Sequence, residues 1–195
     1  MKILKKITTA AVMILVPSLG FAQEETQLQL EAEAANPAAP AETSQLDFLI
    51  GDWVLHTKVV WAADDIREKE AELSVRYILE GFAIQMVERH PPAPPPGNPD
   101  QAYWATTILN YDADNNKWTG ASVNTLGNRK FVEGEFKDGV FTLVQTGKLF
   151  NSRTGSNRLV FENITPDSYE YRLEYTMQDW QDWQRGGYSY TAVRK

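Results

Sequence analysis

The sequence predicts an all-β fold: an up-and-down antiparallel barrel of roughly ten strands with a short N-terminal helical plug. Three observations carry that expectation. Apolar residues recur at every second position after Gly51. Clusters of turn-forming residues separate those runs at short intervals. A short greasy segment, LDFLIGDW (residues 46–53), stops at a glycine just where the alternation begins. The structural alternative is a two-sheet β-sandwich. Closure is preferred because an open meander of this length leaves two unpaired edges.

The strands follow in order. WVLHTKVVW places Trp53, Leu55, Thr57, Val59 and Trp61 on one face and His56 and Lys58 on the other. AELSVRYIL puts Ala71, Leu73, Val75, Tyr77 and Leu79 together, and Glu80-Gly81 turns the chain into FAIQMVERH. AYWATTILNYD and KWTGASVNT flank the turn cluster DADNN. KFVEGEF and VFTLVQTGKLF flank Lys137-Asp138-Gly139, and NRLVFENI and YEYRLEYTM flank Thr165-Pro166-Asp167. YSYTAVRK follows a predicted turn at Gly186-Gly187. Two loops interrupt the rhythm: PPAPPPG (91–97), which cannot donate to a ladder, and the polar QDWQRGG (181–187), which carries Trp183.

The ends and the composition set the context. Residues 1–22 have the form of a signal peptide: Lys2, Lys5 and Lys6, a short apolar run, then Gly20 and Ala22 before a cleavage point after Ala22. That run is too short to span a bilayer, so no membrane anchor is expected and the protein is placed in the periplasm or outside the cell. Residues 23–43, acidic and rich in Ala and Pro, read as a disordered linker; a short helix over residues 27–34 is the alternative. Residues 44–195 form one domain by size. Six Trp, eight Tyr and eight Phe predict an aromatic core. A formal charge of −7 argues against nucleic acid and anionic membranes as partners. No cysteine is present, which excludes disulfides and thiol chemistry.

The opening octet resembles the start of calycin-type barrels: lipocalins, fatty-acid-binding proteins and nitrobindin-like proteins. The resemblance implies a plug of Phe48, Leu49 and Ile50 across one end of the barrel. It also implies a structural lock, with Gly51 as the turn, Trp53 as the floor and Arg194 from the last strand set against the indole. RYILEGFAIQMVE, NYDADNNKWTG and YSYTAVRK resemble an uncharacterised bacterial domain-of-unknown-function family of exported proteins; Glu80 stands where that family has Asp. Nitrobindin-like proteins hold haem iron through a histidine late in the chain. No histidine follows His90, so the resemblance transfers no haem site.

The chemistry is sparse. The two histidines, His56 and His90, lack metal-ligand spacing, and no metal or cofactor is expected. No serine stands in a nucleophile elbow. Glu88, Glu133, Glu135, Glu170 and Glu174 lie in predicted strands and are the candidates for acid–base work. Glu170-x-Arg172-x-Glu174 forms an outer ladder if Tyr169, Tyr171, Leu173 and Tyr175 face inward; the opposite parity would make the trio a buried polar site.

These features predict an exported protein that sequesters a largely apolar small molecule in the barrel. Trp53, Met86, Trp104, Trp118, Asn124, Tyr175 and Tyr188 are the expected ligand-binding residues, with Ser122, Gln145 and Tyr190 nearby. Two alternatives stand beside this. One is a calycin-type isomerase or hydratase acting on a lipid or phenolic through a carboxylate and Tyr, for which an inward Glu within hydrogen-bond reach of a cavity Tyr is the discriminating feature. The other is a filled barrel acting as a protein-interaction module.

Overall fold

Every second residue of each run is apolar, so each strand can bury one face only, and curling the sheet on itself gathers those faces into one interior. The computed structural model describes residues 34–92, 102–148, 154–177 and 182–195. Ten strands follow in chain order: β1 Gly51–Ala62, β2 Asp65–Ile78, β3 Ala83–His90, β4 Tyr103–Asp112, β5 Lys117–Asn124, β6 Arg129–Lys137, β7 Val140–Lys148, β8 Thr154–Glu162, β9 Ser168–Thr176 and β10 Gln184–Arg194. Each pairs antiparallel with the next, and β10 returns to β1, which closes the barrel. The up-and-down barrel of the sequence reading is therefore the fold, and the sandwich is excluded.

A 3-10 helix, Ala41–Leu49, crosses one end ahead of β1. Leu46 and Leu49 are its fully buried apolar residues, while Phe48 and Ile50 pack on the core from its margin. The plug thus begins two residues earlier than the octet's Phe48, Leu49 and Ile50. Tyr77 secures it from β2: its hydroxyl donates to Asp47 Oδ1 and, at 3.3 Å, to the Thr43 carbonyl. Burial, and then the Asp47 carboxylate, push the Tyr77 phenol well above its ordinary range.

The floor joins the two ends of the strand order. Trp53 pairs with Arg194 across β1 and β10, and the guanidinium carbon sits 4.2 Å from the indole centroid. Trp53 Nε1 donates to the Leu49 carbonyl at 2.8 Å. Arg194 Nη1 donates to the Ile50 carbonyl at 2.7 Å, and its Nε donates to the Pro166 carbonyl at 2.8 Å. Gly51 answers why a glycine stops the greasy turn. Its φ is +135°, and a Cβ there would stand 2.3 Å from Arg194 Nη1.

Three features depart from the sequence reading. Part of residues 23–43 is ordered on the barrel: the Asn36 amide donates to the Gly81 carbonyl at 3.1 Å, and Thr43 is fully buried. The first hairpin is longer than AELSVRYIL implied, because β2 starts at Asp65. Gly186-Gly187 is a register shift inside β10 rather than a turn before it; a Cβ on Gly187 would lie 2.4 Å from the Val60 carbonyl oxygen, so the glycine permits close strand approach. The signal peptide and the first part of the linker, residues 1–33, lie outside the described residues, as does 93–97 of the proline loop.

Replacing Arg194 with Ala removes a cation–π contact and two charge-assisted hydrogen bonds. Urea unfolding should show a loss of about 2 kcal/mol, with Arg194→Lys restoring only part of it because an ammonium cannot stack and reach both carbonyls together. A loss below about 0.5 kcal/mol, the range typical of featureless surface changes, would contradict this account of the floor.

Candidate functional site

The interior divides into a filled half and a half that reaches solvent. Next to the plug, Trp53, Tyr77, Trp118, Phe141, Phe161 and Tyr169 all have less than 2% of their surface exposed. Phe161 contacts Phe141, Tyr169 and Tyr171 through ring pairs, the last at 5.2 Å. Towards the other end the inward positions change character. Met86, Thr107, Ser122, Leu159, Leu173 and Tyr188 share the inner face by register, yet each is only half-buried. Side chains that point inward and still meet solvent mark this as the accessible, open end of the barrel.

At that open half, four polar residues meet. In β3 the alternation that points Ile84 and Met86 inward also points Glu88 and His90 inward. Tyr188 reaches them from β10: its hydroxyl lies 3.0 Å from Glu88 Oε1 and 3.3 Å from His90 Nε2. His90 Nε2 is itself 2.5 Å from the same carboxylate oxygen. Tyr103, across the ladder from His90, sets its ring edge-on at 5.4 Å. Burial, then the Glu88 charge, raise the Tyr103 phenol to about 12 and push Tyr188 well above its usual range. Both phenols are therefore protonated at neutral pH, and Tyr188 serves as a donor to the Glu88 carboxylate. Tyr171 and Tyr190 stack at 4.4 Å beside this group and complete an aromatic wall.

Another part of the wall is also polar. Thr107 Oγ1 bonds Ser122 Oγ at 3.0 Å, and Lys130 Nζ donates to Gln145 Oε1 at 3.1 Å. Asn157 is buried in β8, opposite Gln145. Burial lowers the Lys130 amine from its ordinary value. The chemistry available is thus acceptors and donors on an aromatic surface, not an apolar slot.

The residues singled out by sequence divide accordingly. Met86, Tyr188, Ser122 and Gln145 line the open half. Asn124 and Tyr175 stand at its rim, where Asn124 Oδ1 accepts from the Leu126 and Asn128 amides and the Tyr175 hydroxyl donates to Gln184 Oε1. Trp53 and Trp118 face inward but belong to the filled half, so neither borders the open space. Trp104 is a correction: it is 51% exposed and points outward under Arg89, because Tyr103 and Ala105 take the inward positions of β4. The parity of β9 is the one that puts the tyrosines inside. Glu174 nonetheless is buried on the outer face between Arg158 and Arg172; burial works against its carboxylate, but their hydrogen bonds hold it below its ordinary value.

Glu88 was legible only as one acid–base candidate among the strand glutamates, and His90 was not singled out for a site. Once Met86 is placed inside, period two places both beside it, and that was the available signal. Lys130 was missed, because KFVEGEF has apolar residues on both faces. On the outside, a groove of about 690 Å³ runs over β1, β2, β9 and β10. Charged side chains of both signs border it, including Lys58, Glu70, Glu170 and Arg172, and Tyr171 and Tyr190 also reach its lining. Among the described residues no three His, Asp or Glu side chains come together as a metal cluster.

No protein-family model and no curated protein matches the chain. A solved structure does. The crystal structure of Rv2717c from M. tuberculosis aligns with a TM-score of 0.55 over 80% of this chain and 99% of that one, at 13% identity. At that identity the likeness shows the barrel fold alone.

The buried tyrosines give the site a pH signature. Their folded pKa values lie above the unfolded value of about 10, so above that pH the unfolded chain releases protons that the native barrel retains. Stability is then fully present below pH 10 and falls as pH rises beyond it. A titration at 295 nm should show fewer ionised tyrosines at pH 11 in the native protein than in urea. Equal ionisation in both would contradict the burial of Tyr103, Tyr171, Tyr188 and Tyr190.

Proposed function

We propose that the protein binds a small aromatic or otherwise amphipathic molecule in the open half of its barrel. The half-buried inner wall above a solid aromatic floor is the observation that carries this reading. The ligand the walls suit differs from the largely apolar one that composition suggested. The half-buried Tyr188 ring, set edge-on to the Tyr171–Tyr190 stack, offers an aromatic contact, while Glu88, the Tyr188 hydroxyl and Ser122 offer hydrogen bonds that an alkane could not satisfy. The resemblance of the octet and the closing strand to calycin-type barrels supports the same reading. Export after cleavage at Ala22 is part of the proposal and rests on the N-terminal pattern; no helix among the described residues is long and apolar enough to cross a membrane.

Blocking the space tests it. N-phenyl-1-naphthylamine, a neutral dye that brightens in apolar surroundings, should bind the wild type and lose at least tenfold in affinity to Met86→Trp, which fills the inner wall. Ile108→Ser, on the exposed outer face of β4, should leave binding unchanged. Equal binding by wild type and Met86→Trp would place the dye elsewhere and sink the reading.

One observation favours a second reading, catalysis by proton transfer. Glu88 lies within hydrogen-bond distance of both Tyr188 and His90, so a carboxylate base, a phenol donor and an imidazole share one wall. In that role Glu88 would take a proton from carbon next to a carbonyl while Tyr188 donates to the developing enolate oxygen. Deuterium uptake by 2-acetonaphthone in D₂O, followed by NMR, tests it: the wild type should accelerate exchange and Glu88→Gln should abolish the acceleration. Exchange at the buffer rate with wild type would remove this reading and leave binding intact.

A further inference from the structure

Lys130 occupies the second position of β6, opposite Ser122 of β5 on the inner face. Its amine bonds Gln145, which is paired with Val132, a step deeper into the barrel than Lys130 itself. The side chain therefore leans down into the barrel rather than out through the mouth. Among the described residues no carboxylate pairs with it, and burial alone disturbs its ionisation. A half-buried ammonium held only by an amide oxygen lacks the opposite charge that normally offsets its desolvation. Gln145 keeps its own amide nitrogen as a further donor after accepting from Lys130.

We infer that Lys130 and Gln145 form an anion subsite inside the barrel, which takes the carboxylate of an aromatic ligand. The inference deepens the binding reading and rests on it. One cation and one amide donor match a single negative charge; a phosphate dianion would need more. In the order of strands β6 lies three places from β3 and four from β10. An elongated molecule anchored at Lys130 could thus turn a hydroxyl or carbonyl towards Glu88 and Tyr188 while its rings meet the tyrosine wall. The formal chain charge of −7 opposes long-range capture of anions, so the preference arises at contact.

Calorimetric titration with 2-naphthoate and its neutral analogue 2-naphthamide separates the charge from the rings. The wild type should bind the carboxylate about tenfold more tightly than the amide, the value of one charge-assisted hydrogen bond. Lys130→Met should bring the ratio to about one without weakening the amide. Lys130→Arg should keep most of the preference, which guards against a mere folding defect in the Met variant. Arg129→Ala, on the outer face over Phe131, should change neither affinity. A wild-type ratio near one, or a preference that survives Lys130→Met, overturns the anion subsite while leaving the open space as a binding site. Failure of both naphthalenes to bind overturns the subsite and the binding reading together.

Discussion

The stacking of Arg194 on Trp53 holds together the one junction that chain connectivity does not supply. Every other strand pair in the barrel is joined by a loop at one end; β1 and β10 are brought side by side only by folding. Two carbonyls at the end of the plug, those of Leu49 and Ile50, accept from Trp53 and Arg194 respectively. Helix end, first strand and last strand therefore meet in one set of hydrogen bonds around an indole. The geometry leaves no room for a side chain at residue 51, and the glycine follows from that requirement.

A firm floor permits the other half of the barrel to carry half-buried polar side chains on its inner wall. Cores are normally close-packed, and an open interior forfeits dispersion contacts that a filled one would have. Here the aromatic cluster of Trp53, Trp118, Phe141, Phe161 and Tyr169 supplies the burial, each large side chain contributing about 2–3 kcal/mol. The inner wall beyond it carries polar and ionisable side chains. Glu88, His90, Tyr103, Tyr188 and Lys130 sit where a purely structural barrel would place Val or Leu; the polar atoms of Glu88, His90 and Tyr188 bond one another, and Lys130 bonds Gln145.

Most of the fold was legible because period two is a robust signal when turns are short. The strand number and the outward His56 follow from it, closure follows from the cost of two unpaired edges, and period two narrowed β9 to two parities, of which the tyrosine-inward one holds. Trp104 shows the weakness of that logic: hydrophobicity argued for the interior, but Tyr103 and Ala105 claimed it, and a strand beginning beside a long loop gives no local clue to parity. Gly186-Gly187 shows another. Paired glycines permit either a turn or close strand approach, and only the neighbouring Val60 carbonyl distinguishes the two. The polar cluster was unreadable as a unit because Glu88 and Tyr188 lie 100 residues apart. Their meeting depends on the curvature of a closed barrel, which no local pattern encodes.

Met86 stands on the inner wall of the open half that is proposed to accept a ligand, and its methyl group reports on occupancy there. With the methionine methyl groups carbon-13 labelled, its resonance can be followed by NMR during titration with N-phenyl-1-naphthylamine. Binding within the barrel should give a saturable shift of the Met86 methyl that is complete at one equivalent of dye. A Met86 signal that stays fixed while the dye binds would place the ligand outside the barrel and contradict the proposal.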